Sequence, residues 1–125
     1  MGSILAASAA VIVTYLFWAP LRKLSPGSVL LVSPFLEEGA KCLAWSFAAP
    51  IFPVQVLFGL AETSWELRRR KPGAAIAAVL THSCFGLAAE WASSWGRIAA
   101  LGAALALHFF LWNSFIYLLQ LKRGI

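Results

Sequence analysis

The stretch SPFLEEGAKCLAW, residues 33–45, sets two adjacent glutamates and a lysine inside an otherwise mostly apolar run. A charged side chain at the centre of a membrane-inserted helix costs about 2.5–3.5 kcal/mol, so such residues face the interior of a bundle and find partners there. The stretch therefore predicts a helix that directs Glu37, Glu38 and Lys41 into a helical bundle.

The composition of the whole chain indicates a membrane protein. Of its 125 residues, 61% are hydrophobic and only 12% are charged, against about 25% charged residues in soluble globular proteins. The length suits a single domain, residues 1–125. Its ten Lys and Arg give a net charge of +5, but they form no basic face or stripe. The sequence therefore predicts a lipid bilayer, and not nucleic acid, as its partner.

Five apolar segments approach the roughly 20 residues that a helix needs to cross a bilayer. They run approximately over residues 3–20, 28–49, 53–67, 73–93 and 98–121. Turn-forming sequences separate them: SPG at 25–27, APIFP at 49–53, KPG at 71–73 and SSWGR at 93–97. The sequence therefore predicts an all-α, multi-pass transmembrane bundle of about five spans.

The basic residues predict the direction of these spans. Eight of the ten lie after the first span, after the third span and in the C-terminal tail, at positions 22, 23, 68–71, 122 and 123. In a chain of five spans these three regions share one side of the membrane. Because cytoplasmic loops carry an excess of Lys and Arg, we expect the N-terminus outside the cell and the C-terminus in the cytoplasm.

Polar groups on four of the predicted spans lie at comparable depth. With a rise of about 1.5 Å per residue from the cytoplasmic end of each span, Glu38 and His82 lie about 15 Å deep. On the same basis Glu62 lies about 9 Å deep and His108 about 21 Å deep. We therefore expect these side chains to form one shared site.

Helix geometry predicts separate roles for the two adjacent glutamates. Glu37 and Lys41 are four residues apart and can pair on one face, whereas Glu38 projects about 100° around the helix. One glutamate is enough to neutralise Lys41. The spacing thus favours a pair between Glu37 and Lys41 and makes Glu38 the candidate general base, while the choice between the two glutamates as the base stays open at this stage.

Four short motifs follow one another on separate predicted spans. They are Glu37-Glu38-Gly39-Ala40-Lys41, Phe58-Gly59-Leu60-Ala61-Glu62, His82-Ser83-Cys84-Phe85-Gly86, and His108 with Asn113. They resemble the E-E-x-x-K, F-x-x-x-E, H-x-x-x-G and His-then-Asn/Asp motifs of PrsW-type intramembrane proteases. That family belongs to a superfamily with the CAAX prenyl endopeptidases and bacteriocin-processing membrane proteins. In the fourth motif Asn113 falls one residue later than the family pattern.

The resemblance implies a glutamic-type intramembrane endopeptidase in a prokaryotic plasma membrane, which cuts a membrane-anchored protein such as an anti-sigma factor. The residues that it implies are catalytic Glu37, Glu38, His82 and His108, with Lys41, Glu62 and Asn113 in support. In this reading Glu38, helped by Glu37, activates a water molecule. The two histidines position that water or stabilise the oxyanion.

Other readings of the same residues stay open at this stage. No cofactor is expected, although two histidines and several glutamates also suit zinc; no H-E-x-x-H spacing is present. Glu62 could instead extend toward Arg68–Arg70 at the membrane surface, and Glu66 is expected to pair with Arg70. The rival functions are a non-catalytic membrane scaffold of the same superfamily and, less favoured, a proton-coupled carrier.

Overall fold

The computed structural model describes residues 1–21 and 23–114. The last part of the predicted fifth span and the basic tail at 122–123 lie outside the described residues. Within them the chain contains helices and no strand, which confirms the all-α prediction. The helices are α1 (Gly2–Leu21), α2 (Pro26–Lys41), α3 (Ile51–Arg68), α4 (Pro72–Ala92) and α5 (Arg97–Leu107).

Two of these helices are long and apolar enough to cross a membrane. They are Gly2–Leu21 and the stretch Pro72–Trp95, which joins α4 to a short 3₁₀ turn, Ser93–Trp95. A shorter apolar helix covers Arg97–Leu111. The length and the apolar composition of these helices support membrane insertion.

The predicted second span is not one continuous α-helix. After α2 the backbone tightens into a 3₁₀ helix, Cys42–Phe47, and then reverses at Ala48, which has a left-handed φ of 48°. The Ala49 amide closes this turn by donating to the Ala44 carbonyl at 2.9 Å. Ala49 precedes Pro50, and a residue before proline is disfavoured in the α conformation. The helix therefore ends before the proline, and α3 begins after it.

Side chains complete the starts of α2 and α3. The Ser25 hydroxyl accepts from the Ser28 amide at 3.3 Å and caps α2. Glu90 on α4 accepts from the Phe52 amide at 3.3 Å, in the first turn of α3. The first four amides of a helix have no hydrogen-bond partner within that helix. Glu90 accepts from one of these amides and so links α4 to α3.

The most extensive packing is between α3 and α4, and glycines make it close. A Cβ atom added at Gly59 would lie 2.8 Å from the Cβ atom of His82, and one added at Gly86 would lie 3.0 Å from the Cβ atom of Gln55. The Thr63 hydroxyl also donates to the Ala75 carbonyl across this interface, at 2.8 Å. Small residues allow helix backbones to approach closely, and here they bring Gln55 and His82 together.

We expect Gly59→Ala to lower the free energy of unfolding by about 1–3 kcal/mol, because the added methyl group overpacks the contact with His82. Gly102→Ala is the matched control. It also lies inside a helix, and an added Cβ atom there meets nothing within 4 Å. That variant should be neutral or stabilised by about 1 kcal/mol, since alanine favours helix more than glycine does. Unfolding titrations in detergent micelles measure both; equal effects would contradict the packing argument.

Candidate active site

A buried carboxylate, Glu38 on α2, lies at the centre of a polar cluster. Its Oε1 atom contacts Lys41 Nζ at 2.7 Å and His108 Nδ1 at 2.9 Å. Its Oε2 atom accepts a hydrogen bond from Gln55 Nε2. The side chain is 1% exposed. Three donors from three segments of the chain therefore satisfy this carboxylate without water.

This arrangement corrects the predicted pairing of the two glutamates. Lys41 pairs with Glu38, three residues earlier, and not with Glu37, four residues earlier. Positions i+3 and i+4 lie on the same side of a helix, so spacing alone does not choose between them. The direction of the bundle interior does, because it is Glu38 that faces Gln55 and His108. Glu37 is rotated away and is 18% exposed.

Histidine 82 continues the cluster from α4. Its Nδ1 atom lies 3.1 Å from Lys41 Nζ and 3.3 Å from Gln55 Oε1, and its Nε2 atom lies 2.8 Å from Glu62 Oε2. An ammonium group can only donate, so we assign Nδ1 as the acceptor from Lys41. Nε2 then carries the proton and donates to Glu62. Glu62 thus contacts a histidine and not the arginines at the end of α3.

Histidine 108 has the complementary arrangement. Its Nδ1 atom faces the carboxylate of Glu38, which can only accept, so Nδ1 carries the proton. The Nε2 atom is then an acceptor and lies 3.9 Å from Glu37 Oε2. That separation is too long for a direct hydrogen bond, and contacts of this length are commonly bridged by water.

Two aromatic rings enclose the basic groups of the cluster. Lys41 Nζ lies 4.3 Å from the centre of the Phe58 ring, a cation–π contact that stabilises a desolvated ammonium. Phe58 and Phe85 both meet the His82 ring edge to face, at 5.2 and 5.4 Å. His108 stacks on Phe85 with 5.1 Å between ring centres. The rings therefore hold both imidazoles in fixed orientations.

The fourth motif lies in an unusual helical segment. The chain from His108 to Asn113 is a π-helix, in which hydrogen bonds run from i to i+5. Such a turn accommodates one residue more than an α-helical turn. Asn113 therefore takes a place along the helix similar to that of the fourth residue after His108 in an α-helix.

An open cavity of about 240 Å³ lies beside the cluster, between α1, α2 and α3. We call it the glutamate cavity, because Glu37 and Glu62 are on its wall. Its lining residues come from these three helices and from Arg69, directly after α3: Val11, Thr14, Tyr15, Trp18, Glu37, Phe58, Ala61, Glu62, Trp65, Glu66 and Arg69. Glu66 pairs with Arg69 at 3.3 Å, where the sequence predicted Arg70. The cavity gives solvent access to Glu37 and Glu62 and none to the 1%-exposed Glu38.

Gln55 is the cluster residue that the sequence reading missed. It is fully buried, and its Nε2 atom donates to Glu38 while its Oε1 atom lies 3.3 Å from Nδ1 of His82. The signal was a neutral polar residue within an apolar span, in the sequence PVQV at 53–56. A search for ionisable groups alone passes over such a residue.

The donors of the cluster do not fit a metal site. Among the residues described, no group of three or more His, Cys, Asp or Glu side chains is arranged to hold a metal ion. Lys41 Nζ lies within hydrogen-bond distance of both Glu38 and His82. An ammonium group therefore takes the place between these side chains that a cation would need.

No protein-family model, curated protein or solved structure matches this chain. The resemblance to PrsW-type proteases stays a prediction that rests on the four motifs.

We expect Glu38→Ala to lower the free energy of unfolding by about 3–5 kcal/mol, because it leaves a buried ammonium without its carboxylate. Glu37→Ala should cost about 1 kcal/mol or less, since that side chain is partly exposed and its contact with His108 Nε2 is long, at 3.9 Å. Unfolding titrations followed by circular dichroism measure both. Equal losses would show that the two carboxylates contribute alike to the fold.

Proposed function

We propose that this chain is an intramembrane endopeptidase, in which a glutamate activates water to hydrolyse a peptide bond of a membrane-anchored protein. In this proposal five spans cross a prokaryotic plasma membrane, with the N-terminus outside and the C-terminus in the cytoplasm. The 18 residues of α3 rise by about 27 Å, close to the thickness of the hydrocarbon core.

The observation that carries the proposal is a buried charged cluster beside an open cavity that exposes two carboxylates. Burying an ion pair costs several kcal/mol per ion before pairing. A bundle needing only apolar packing would avoid that cost. Here Glu38, Lys41, Gln55, His82 and His108 hold one another in fixed positions. Glu37 and Glu62, at the edge of this group, face the cavity.

In the proposed mechanism Glu37, and not Glu38, is the general base. A water molecule bound between Glu37 and the unprotonated Nε2 atom of His108 gives one proton to Glu37 while its oxygen bonds to the scissile carbonyl carbon. The Nε2 proton of His82, beside Glu62, is the candidate donor to the developing oxyanion. The C–N bond then breaks, and the proton on Glu37 passes to the departing amine.

The remaining residues keep these groups in position. Glu38 holds His108 in the tautomer whose Nε2 atom is unprotonated. Lys41 holds His82 in the tautomer whose Nδ1 atom is unprotonated. Preorganised groups of this kind contribute to catalysis because they need no rearrangement during the reaction. The cluster thus supports Glu37 and the Nε2 atom of His108, the two groups that bind the water molecule in this proposal.

The chain of titratable groups also invites the carrier hypothesis. It runs from Glu62 through His82, Lys41, Glu38 and His108 toward Glu37. Both of its ends, however, open into the same cavity. A proton that entered at one end would leave on the same side, so this chain favours hydrolysis over transport across the membrane.

We expect Glu37→Gln to abolish cleavage while the protein stays folded, because glutamine keeps the shape of the side chain and lacks its basicity. The assay co-expresses the protein with a panel of tagged single-span proteins and reads product masses by mass spectrometry. Glu66→Gln is the matched control on the same cavity wall and should retain most of the wild-type cleavage. Identical product patterns for wild type and Glu37→Gln, with both folded, would favour the scaffold hypothesis.

The proposed orientation has a separate test. A reporter that is active only in the cytoplasm, fused to the C-terminus, should be active, whereas the same reporter at the N-terminus should be inactive. The expectation follows from the basic residues at 22–23, 68–71 and 122–123. The reverse result would contradict the proposed orientation of the bundle.

A further inference from the structure

A second cavity adjoins the first one and has a different lining. Its volume is about 310 Å³, and it lies between α1 and α3. We call it the aliphatic cavity. Its apolar lining residues are Ile4, Ala7, Val11, Ile12, Leu57 and Ala61. Ser8 supplies the one hydroxyl group of its wall.

The two cavities share part of their walls. Val11 on α1 and Ala61 on α3 line both of them. Ala61 is the direct neighbour of Glu62, so the aliphatic cavity begins one residue from a carboxylate of the candidate active site. On α1 the lining runs from Ile4 to Trp18, which corresponds to about 21 Å along the helix. In the proposed orientation the aliphatic cavity lies on the outer side of the glutamate cavity.

We propose that the aliphatic cavity is a subsite that receives a large aliphatic side chain of the substrate, next to the scissile bond on its outer side. This inference rests on the proposed function. The occupant is an extended peptide segment, because a helix about 10–12 Å in diameter does not fit. The cavity equals the volume of roughly ten water molecules, which is room for one or two side chains.

The lining determines which side chain binds. Aliphatic walls favour an apolar group of matching size, and the single Ser8 hydroxyl offers little to a charged one. The cavity exists because Ala7 and Ala61 are small where the two helices meet. A larger residue at position 61 fills the junction between the cavities and reduces the space for substrate. Ala61 is itself exposed, so the fold tolerates such a change.

The test uses a library of one tagged single-span host protein in which four consecutive residues in the cytoplasmic half of the span are randomised. Products are identified by mass spectrometry. Wild type should favour Leu or Ile over Ala at one position by about tenfold or more, as expected for a hydrophobic pocket. Ala61→Phe should reverse that preference toward Ala, Gly and Ser, and still cut the small-residue sequences. Ala61→Leu should give a partial shift.

The control is Ala106→Phe, the same change at an exposed position of α5 that lines neither cavity. It should keep the wild-type preference. If Ala61→Phe and Ala61→Leu cut with the wild-type preference, or lose cleavage equally for every sequence, the aliphatic cavity is not a subsite. The protease proposal survives either result. If wild type cuts no member of the library, the proposed function itself fails.

Discussion

The ion pair between Glu38 and Lys41 fixes the interior of this bundle. Both side chains are buried, with Lys41 fully so and Glu38 at 1% exposure. A buried charge is tolerated only where its partner and further hydrogen bonds replace the lost water. Lys41 therefore needs Glu38, His82 and the Phe58 ring. The pair thus dictates which side chains the neighbouring helices must present at this depth.

That requirement reaches the backbone through the glycines. Gln55 on α3 and His82 on α4 can meet because these helices approach closely at Gly59 and Gly86. A side chain at either position would separate them and pull one donor away from the charged centre. Close packing of α3 against α4 and hydrogen bonding of the buried charged groups therefore depend on each other.

The sequence predicted an all-α chain and most members of the buried polar cluster, because these follow from rules that act locally. Apolar length and turn residues identify helices, and the cost of charge in lipid identifies which side chains point inward. The partner of Lys41 was predicted wrongly, since i+3 and i+4 spacings both allow a pair on one helix. Only the positions of Gln55 and His108, on other segments, decide between Glu37 and Glu38.

Gln55 shows a different limit of sequence reasoning. An isolated glutamine in an apolar run is compatible with many environments, and its importance follows from the two contacts that its amide makes across the bundle. The π-helix at His108–Asn113 is also invisible in the pattern of residues.

The proposed exchange of catalytic roles between Glu37 and Glu38 has a chemical reason. A general base must reach the water that it deprotonates, and Glu38 accepts from three donors in a place closed to solvent. Glu37 has the opposite properties: it lies on the cavity wall and faces the unprotonated nitrogen of His108 at a distance that one water molecule can bridge. One carboxylate stabilises the charge that the bundle must bury. In the proposed mechanism that leaves its neighbour, Glu37, free to act as the general base.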